Sequence, residues 1–329
     1  MLYRLKRLPF KRIKSSQAKM STPIYGPSPR LERFQQALES VYGMFASIHD
    51  PSTWTPPAKS GGHRGRYLWT DAYGVVSLLT MHREYTASLD PEMAANPVEK
   101  NRYLTLARRL IETVHGVLGR TRDGTARLRG ATEDNPLGGG LRIGKMDERG
   151  PDGDGQYHHY LTVWMFALNR MALASGDASY NRQAVALAKA IHPRFFVNRE
   201  SNQPRMVWKM AMDLSAPLVS SEGNLDAMDG FVVFRLLQET ATVMDAAEPS
   251  LLAEEIADYQ RVIERKGQHF VSSDPLDLGM TLWTVHWFSA SEQWAQQLAD
   301  KCFEQLCMFL SLSLSPPLCL WGEGGWTLE

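Results

Sequence analysis

The sequence predicts an all-α fold, an (α/α) toroid of helical hairpins, and three observations lead there. Several segments repeat apolar residues at spacings of three and four, the pattern of a helix with one buried face. Between them lie segments that are apolar all round and carry rings and an isolated acid near their starts. No segment alternates convincingly with period two, so no major sheet is expected.

Taken in order, the one-faced helices are expected at residues 29–48, 97–118, 180–191, 250–265 and from 289 or 291 to about 309. In the first, Leu31, Phe34, Leu38, Val41, Tyr42 and Phe45 share a face, and Asp50-Pro51 with Pro56-Pro57 end it. In the second, Leu104, Ala107, Leu110, Ile111, Val114 and Val117 do the same. The helices apolar all round are expected at 67–87, 156–175, 224–244 and 276–288. Amphipathic helices belong outside and the others inside, because a helix without a polar face must be covered on every side. Two long irregular stretches, 119–155 and 194–223, separate the elements, and long loops inside a domain are commonly functional.

The string ALNRMALASGDASYNRQAVALAKAI, residues 167–191, resembles the helix, Gly-Asp turn and helix unit of six-hairpin glycosidase-like (α/α)6 proteins. YLWTDAYG, residues 67–74, is similar to the openings of their inner helices. The family includes glycoside hydrolases, unsaturated glucuronyl hydrolases and the N-acylglucosamine and cellobiose epimerases. The resemblance covers roughly residues 29–310 as an architectural pattern, and its one motif, the SGD..Y turn, concerns fold rather than chemistry. It implies twelve helices where the periodicity shows nine, hence an incomplete six-hairpin barrel. The domain reading is a disordered basic extension over 1–28, one toroid domain over 29–310, and a tail over 311–329. After Phe309 the chain reads LSLSLSPPLCLWGEGGWTLE, with neither helical period nor polar turn chemistry, and the tail reads as non-native or disordered.

Charge and cysteine usage narrow the context. The formal net charge of the 329 residues is 0, but the first 20 hold seven bases and no acid. Taking those seven from 36 leaves 29 bases against 36 acids, an acidic body that argues against nucleic acid as a partner. No run of 18 apolar residues occurs, so no transmembrane helix is expected. Cys302, Cys307 and Cys319 all lie near the end, and no Asn-x-Ser/Thr acceptor occurs. Both features suit a reducing compartment, so the expectation is cytoplasmic, with a mitochondrial presequence in the basic N-terminus as the alternative.

The chemistry gathers at 135–174, where a glycine-rich loop bearing Asp147, Glu148, Asp152 and Asp154 runs into a helix opening with Gln156, Tyr157, His158, His159 and Tyr160. Gly139 to Lys145 matches a phosphate-loop spacing, but Met146 stands where Ser or Thr should hold magnesium, and no helix start follows. The acids do not follow the EF-hand pattern, and a solvated acidic loop beside a helix start explains them as well. His158 and His159 are adjacent and point about 100° apart on a helix, which excludes an i, i+4 metal pair. No cofactor or metal is expected.

For sugar chemistry the carboxylate candidates are Asp71, Asp154, Glu222 and Asp226, with Asp229 and Asp277 at other inner-helix starts. Each alone is the sort of acid that ordinarily caps a helix. Trp69, Tyr157, Trp208 and Trp283 offer stacking faces or core packing; Arg142, Lys145, Arg205 and Lys209 offer anion contacts or ordinary ion pairs. A hydrolase would use Asp154 or Asp71 as acid and Glu222 or Asp226 as base. An epimerase, whose catalysis the resemblance assigns to histidines, would use His158 or His159 with His286. A terpene cyclase lacks its D-x-D-D string here. A non-catalytic binding scaffold predicts scattered, solvated acids. The expected partner is a small-molecule or oligosaccharide substrate, with neither nucleic acid nor membrane.

Overall fold

The computed structural model describes residues 29–58, 66–150, 152–266 and 271–313, leaving the basic extension and the last residues of the tail outside. The fold is all-α. Outer helices are α1 (Pro29–Tyr42), α5 (Arg102–Leu118), α7 (Ser179–Phe195), α9 (Ala253–Lys266) and α11 (Gln293–Ser313). Inner helices are α2 (Leu68–Ser88), α6 (His158–Ser175), α8 (Asp226–Asp245) and α10 (Pro275–Ser289). Two short helices, α3 (Pro91–Ala95) and α4 (Pro97–Lys100), fill the connection after α2. Asn101 breaks the run expected as one helix from Pro97, and Gly43, at φ +82°, stops α1 well before Ile48.

Packing follows the alternation. α2 touches α6, α6 touches α8, and α8 touches α10, while α1 and α5 lie on α2, α7 on α6 and α8, α9 on α8, and α11 on α10. The inner helices meet again across the middle, where Tyr73 of α2 lies edge-on to Trp283 of α10 at 5.8 Å. Phe166 of α6 meets the same Trp283 at 4.8 Å. α6 is the centre of the core, with Leu161, Trp164, Met165 and Leu168 fully buried.

The ends of the inner helices differ. At the far end, Asn169 of α6 donates to Asn181 of α7 and Thr240 of α8, each at 2.8 Å, and Asn181 donates to the Leu237 carbonyl at 3.0 Å. Gly176, left-handed at φ +73°, closes α6, and Asp177 accepts from the Ser179 amide at 2.9 Å to start α7. This is the turn singled out in the sequence. At the near end, four two-residue strands join the long loops. β1 (Gln156–Tyr157) pairs antiparallel with β4 (Lys209–Met210), and β2 (Phe196–Val197) with β3 (Arg205–Met206). The β1–β4 ladder clamps the two long loops together over the start of α6.

A buried ion pair ties α1 to α2. Arg66 donates from Nε and Nη2 to the two oxygens of Asp71 at 2.9 and 3.1 Å, and the Tyr42 hydroxyl donates to Oδ1 at 3.0 Å. Burial pushes the Asp71 carboxyl up, against the pull of Arg66 and Tyr42. Removing one partner strands the other charge in the core. Asp71→Asn is therefore expected to cost about 3–5 kcal/mol in denaturant unfolding, and Arg66→Met with Asp71→Leu together much less. Equal losses from the single and double changes would show that the pair is not what holds this corner.

Candidate functional site

A cleft of about 340 Å³ opens where the inner helices begin. α2 contributes Trp69, α6 contributes His159 and Tyr160, the turn into α8 contributes Gly223 to Asp226, and α10 contributes Leu276, Asp277 and Met280. Trp208, beside β4, completes the wall. Residues from the starts of all four inner helices line the cleft.

Aromatic rings build one side. Trp69 stacks on Tyr160 at 5.6 Å and 16°, and Tyr67 stacks on the same tyrosine at 5.9 Å. His159 stands edge-on to Tyr160 at 4.5 Å and to Trp69 at 6.3 Å. Burial pushes the His159 imidazole below its ordinary value, and the opposing pull of Asp226 does not restore it. The ring is thus neutral near pH 7 and able to accept a proton.

Behind it lies a buried polar relay. His158 is fully buried, and its Nε2 shares a 2.8 Å hydrogen bond with the Tyr259 hydroxyl of α9. Its Nδ1 lies 3.4 Å from Asp226 Oδ1, within ion-pair reach but long for a hydrogen bond. With a carboxylate facing Nδ1, the imidazole carries its proton there and Nε2 accepts from Tyr259. Burial pushes Asp226 up, but the imidazoles of His158 and His159 and the Lys266 ammonium outweigh it and hold the carboxyl below its usual value. Tyr259 reaches His158 because Gly230 gives it room: a Cβ there would lie 2.3 Å from the ring.

One turn on, Asp229 is 3% exposed and its Oδ1 accepts from Thr284 at 2.8 Å. Burial pushes its carboxyl up to about 8, with Asp226 and Asp277 adding to the rise, so it is protonated near neutrality. Asp277 accepts at Oδ2 from Asn224 and Ser272, both at 2.9 Å, which joins the starts of α8 and α10.

Of the residues singled out in the sequence, the cleft gathers Trp69, His159, Trp208, Asp226 and Asp277, with His158 immediately behind. Others stand elsewhere. Asp71 borders a separate cavity with Arg66 and Tyr67. Asp154 is fully enclosed: Arg142 and Arg122 donate to Oδ2 at 2.6 and 2.9 Å, and the Gly144 and Gly155 amides to Oδ1 at 3.0 Å each. Arg142 also donates to the Arg120 and Val117 carbonyls, so the pair organises the 119–155 loop. Glu222 turns away to Arg265 at 2.5 Å and the Met206 amide. Lys209, 2% exposed, lies over the Tyr157 ring at 5.0 Å, and Tyr157 sits edge-on beneath Trp208 at 5.1 Å. Trp283 packs into the centre against Tyr73 and Phe166. His286 is exposed and lies roughly 14 Å along α10 from Asp277, at 1.5 Å per residue. The sequence pairings of Asp71 or Asp154 with Glu222 or Asp226, and of His158 or His159 with His286, are therefore not assembled in this cleft, which of those acids gathers Asp226 alone.

Tyr259 escaped sequence reasoning because it sits on the amphipathic face of an outer helix, and nothing local distinguishes its hydroxyl from a core ring. Among the described residues, no three His, Cys, Asp or Glu side chains cluster as a metal site requires, and no helix is long and apolar enough to cross a membrane.

No protein-family model matches the chain, and comparison with curated protein sequences finds no match. Among solved structures the chain is similar to a cellobiose 2-epimerase from Bacillus thermoamylovorans, at 10% sequence identity and a TM-score of 0.44. The match covers 73% of this chain and 59% of that enzyme, less than two thirds of its length.

The polar layer behind the cleft gives a stability prediction. His192 of α7 is buried among Phe196, Phe234 and Tyr259, 3.5 Å from Asp258. Burial pushes its imidazole down to about 3, from 6.5. The folded value lies below the unfolded one, so the contribution is whole above pH 6.5 and is lost as pH falls from there toward 3. Melting temperature is expected to fall over that window, and His192→Phe to flatten the fall. An unchanged acid limb in the variant would contradict the assignment.

Proposed function

We propose that the chain is a carbohydrate-active enzyme of the sugar-epimerase or isomerase kind, working by proton transfer at the carbon beside a sugar carbonyl. One observation carries this reading: a neutral histidine, His159, borders the same cleft as the Trp69–Tyr160 stack and the Asp226 carboxylate. Apolar rings bind the faces of a sugar, and a nearby imidazole of low basicity serves as a general base near neutral pH. In the proposed step His159 takes the proton from the carbon next to the carbonyl of an open-chain sugar. The C–H electrons become the C=C bond of an enediolate as the carbonyl π electrons move onto oxygen. Return of a proton from the imidazolium on the same face gives exchange at that carbon or, at the former carbonyl carbon, isomerisation. Asp226 stabilises the imidazolium that forms, and His158 with Tyr259 holds Asp226 in place.

A glycoside-hydrolase reading draws on a different observation, that Asp226 and Asp277 border one cavity. It needs a protonated acid beside the scissile bond. Asp226 is held ionised, and the carboxyl that is protonated near neutrality, Asp229, is buried behind it against Thr284. That balance favours proton transfer.

The test is proton NMR in D2O with a panel of reducing mono- and disaccharides. Loss of the signal from the hydrogen beside the carbonyl is expected, with a rate whose acid limb lies below pH 6.5, since the conjugate acid of His159 is depressed from that value. His159→Ala is expected to slow exchange by about 10²–10⁴-fold while the fold is retained. Glycosidic cleavage without exchange would replace this reading with the hydrolase one.

A further inference from the structure

We propose that the cleft selects an unacylated amino sugar, holding its ammonium group between Asp226 and Asp277 beside the aromatic wall. The inference rests on the saccharide reading above and adds the charge of the ligand.

The described lining of the cleft contains two carboxylates and a neutral imidazole, with no lysine or arginine among them. The nearest cations lie outside that lining, Lys266 close enough to help hold Asp226 ionised. The Lys266 ammonium donates to the Gly223 carbonyl at 2.6 Å, and Arg265 donates to Glu222. A cleft of one sign concentrates ligands of the other and rejects like charge.

The carboxylates also have unused capacity. Asp226 borders the cleft and is 4% exposed; its Oδ1 faces His158 Nδ1 in a long 3.4 Å contact, and a carboxylate with about four acceptor sites can take a further donor. Asp277 receives both of its hydrogen bonds at Oδ2, which leaves Oδ1 without one among the described residues. A neutral hydroxyl brings one donor. An ammonium brings three donors and a positive charge, enough for both carboxylates at once. A uronate or a sugar phosphate would bring its charge against both.

The experiment is isothermal titration of the full chain with glucosamine, glucose and glucuronate, at a pH where the amine is charged. Glucosamine is expected to bind at least about tenfold more tightly than glucose, and glucuronate more weakly than either. Asp277→Asn, checked for a cooperative melt, is expected to weaken glucosamine binding more than glucose binding and so to close the gap between them. Equal or tighter binding of glucose overturns the ammonium proposal and leaves the saccharide reading standing. Preference for glucuronate overturns it as well. Binding of none of the three by protein that melts cooperatively overturns both.

Discussion

A helix covered on every side has nowhere to put polar chemistry except its ends, and the architecture of this chain follows from that constraint. α2, α6, α8 and α10 are largely apolar along their shafts, so each buries against neighbours, and much of their polar chemistry sits at their ends. The far tips are sewn together by Asn169, Asn181 and Thr240. The near tips are joined in pairs, α2 to α6 by the Trp69–Tyr160 stack and α8 to α10 through Asn224 and Asp277, around the cleft. Outer helices supply the cover, and the two long loops, clamped by the β1–β4 ladder, supply Trp208 and the approach to Asp226.

The division between inner and outer helices was legible because it depends on periodicity, which is local. Residues 97–118 show a stripe and residues 156–175 do not, and in the structure the outer helix Arg102–Leu118 and the inner helix His158–Ser175 lie within them. The site was legible in part. That rings and acids recur at inner-helix starts located the cleft mouth, and Trp69, His159, Trp208 and Asp226 line it. What the pattern left open is which way each acid faces. Asp154 looks as available as Asp226 in the sequence, but its partners Arg122 and Arg142 come from 32 and 12 residues away. Glu222 is turned aside by Arg265, 43 residues on. Tyr259, 101 residues from His158, belongs to the same class of non-local contact.

Two layers of polar groups therefore do different work. The layer at the cleft surface, His159 with Asp226 and Asp277, remains open to a ligand. The layer behind it, His158, Tyr259, Asp229 and His192, is buried and keeps the first in register. Burial sets the protonation in both layers: it lowers the imidazoles of His159 and His192 and raises the carboxyl of Asp229. Only at Asp226 do neighbouring cationic groups reverse the effect of burial, which leaves one ionised carboxylate beside one neutral imidazole. That pairing is suited to moving a proton.

The account stands on the cleft being where a sugar binds. Hydrogen–deuterium exchange of the protein, read by mass spectrometry with and without saturating saccharide, locates binding directly. Slowed exchange is expected in the peptides that span the starts of α2, α6, α8 and α10, and in the loop around Trp208. Protection confined instead to the outer groove lined by Met228, Phe231 and Trp294 would contradict it.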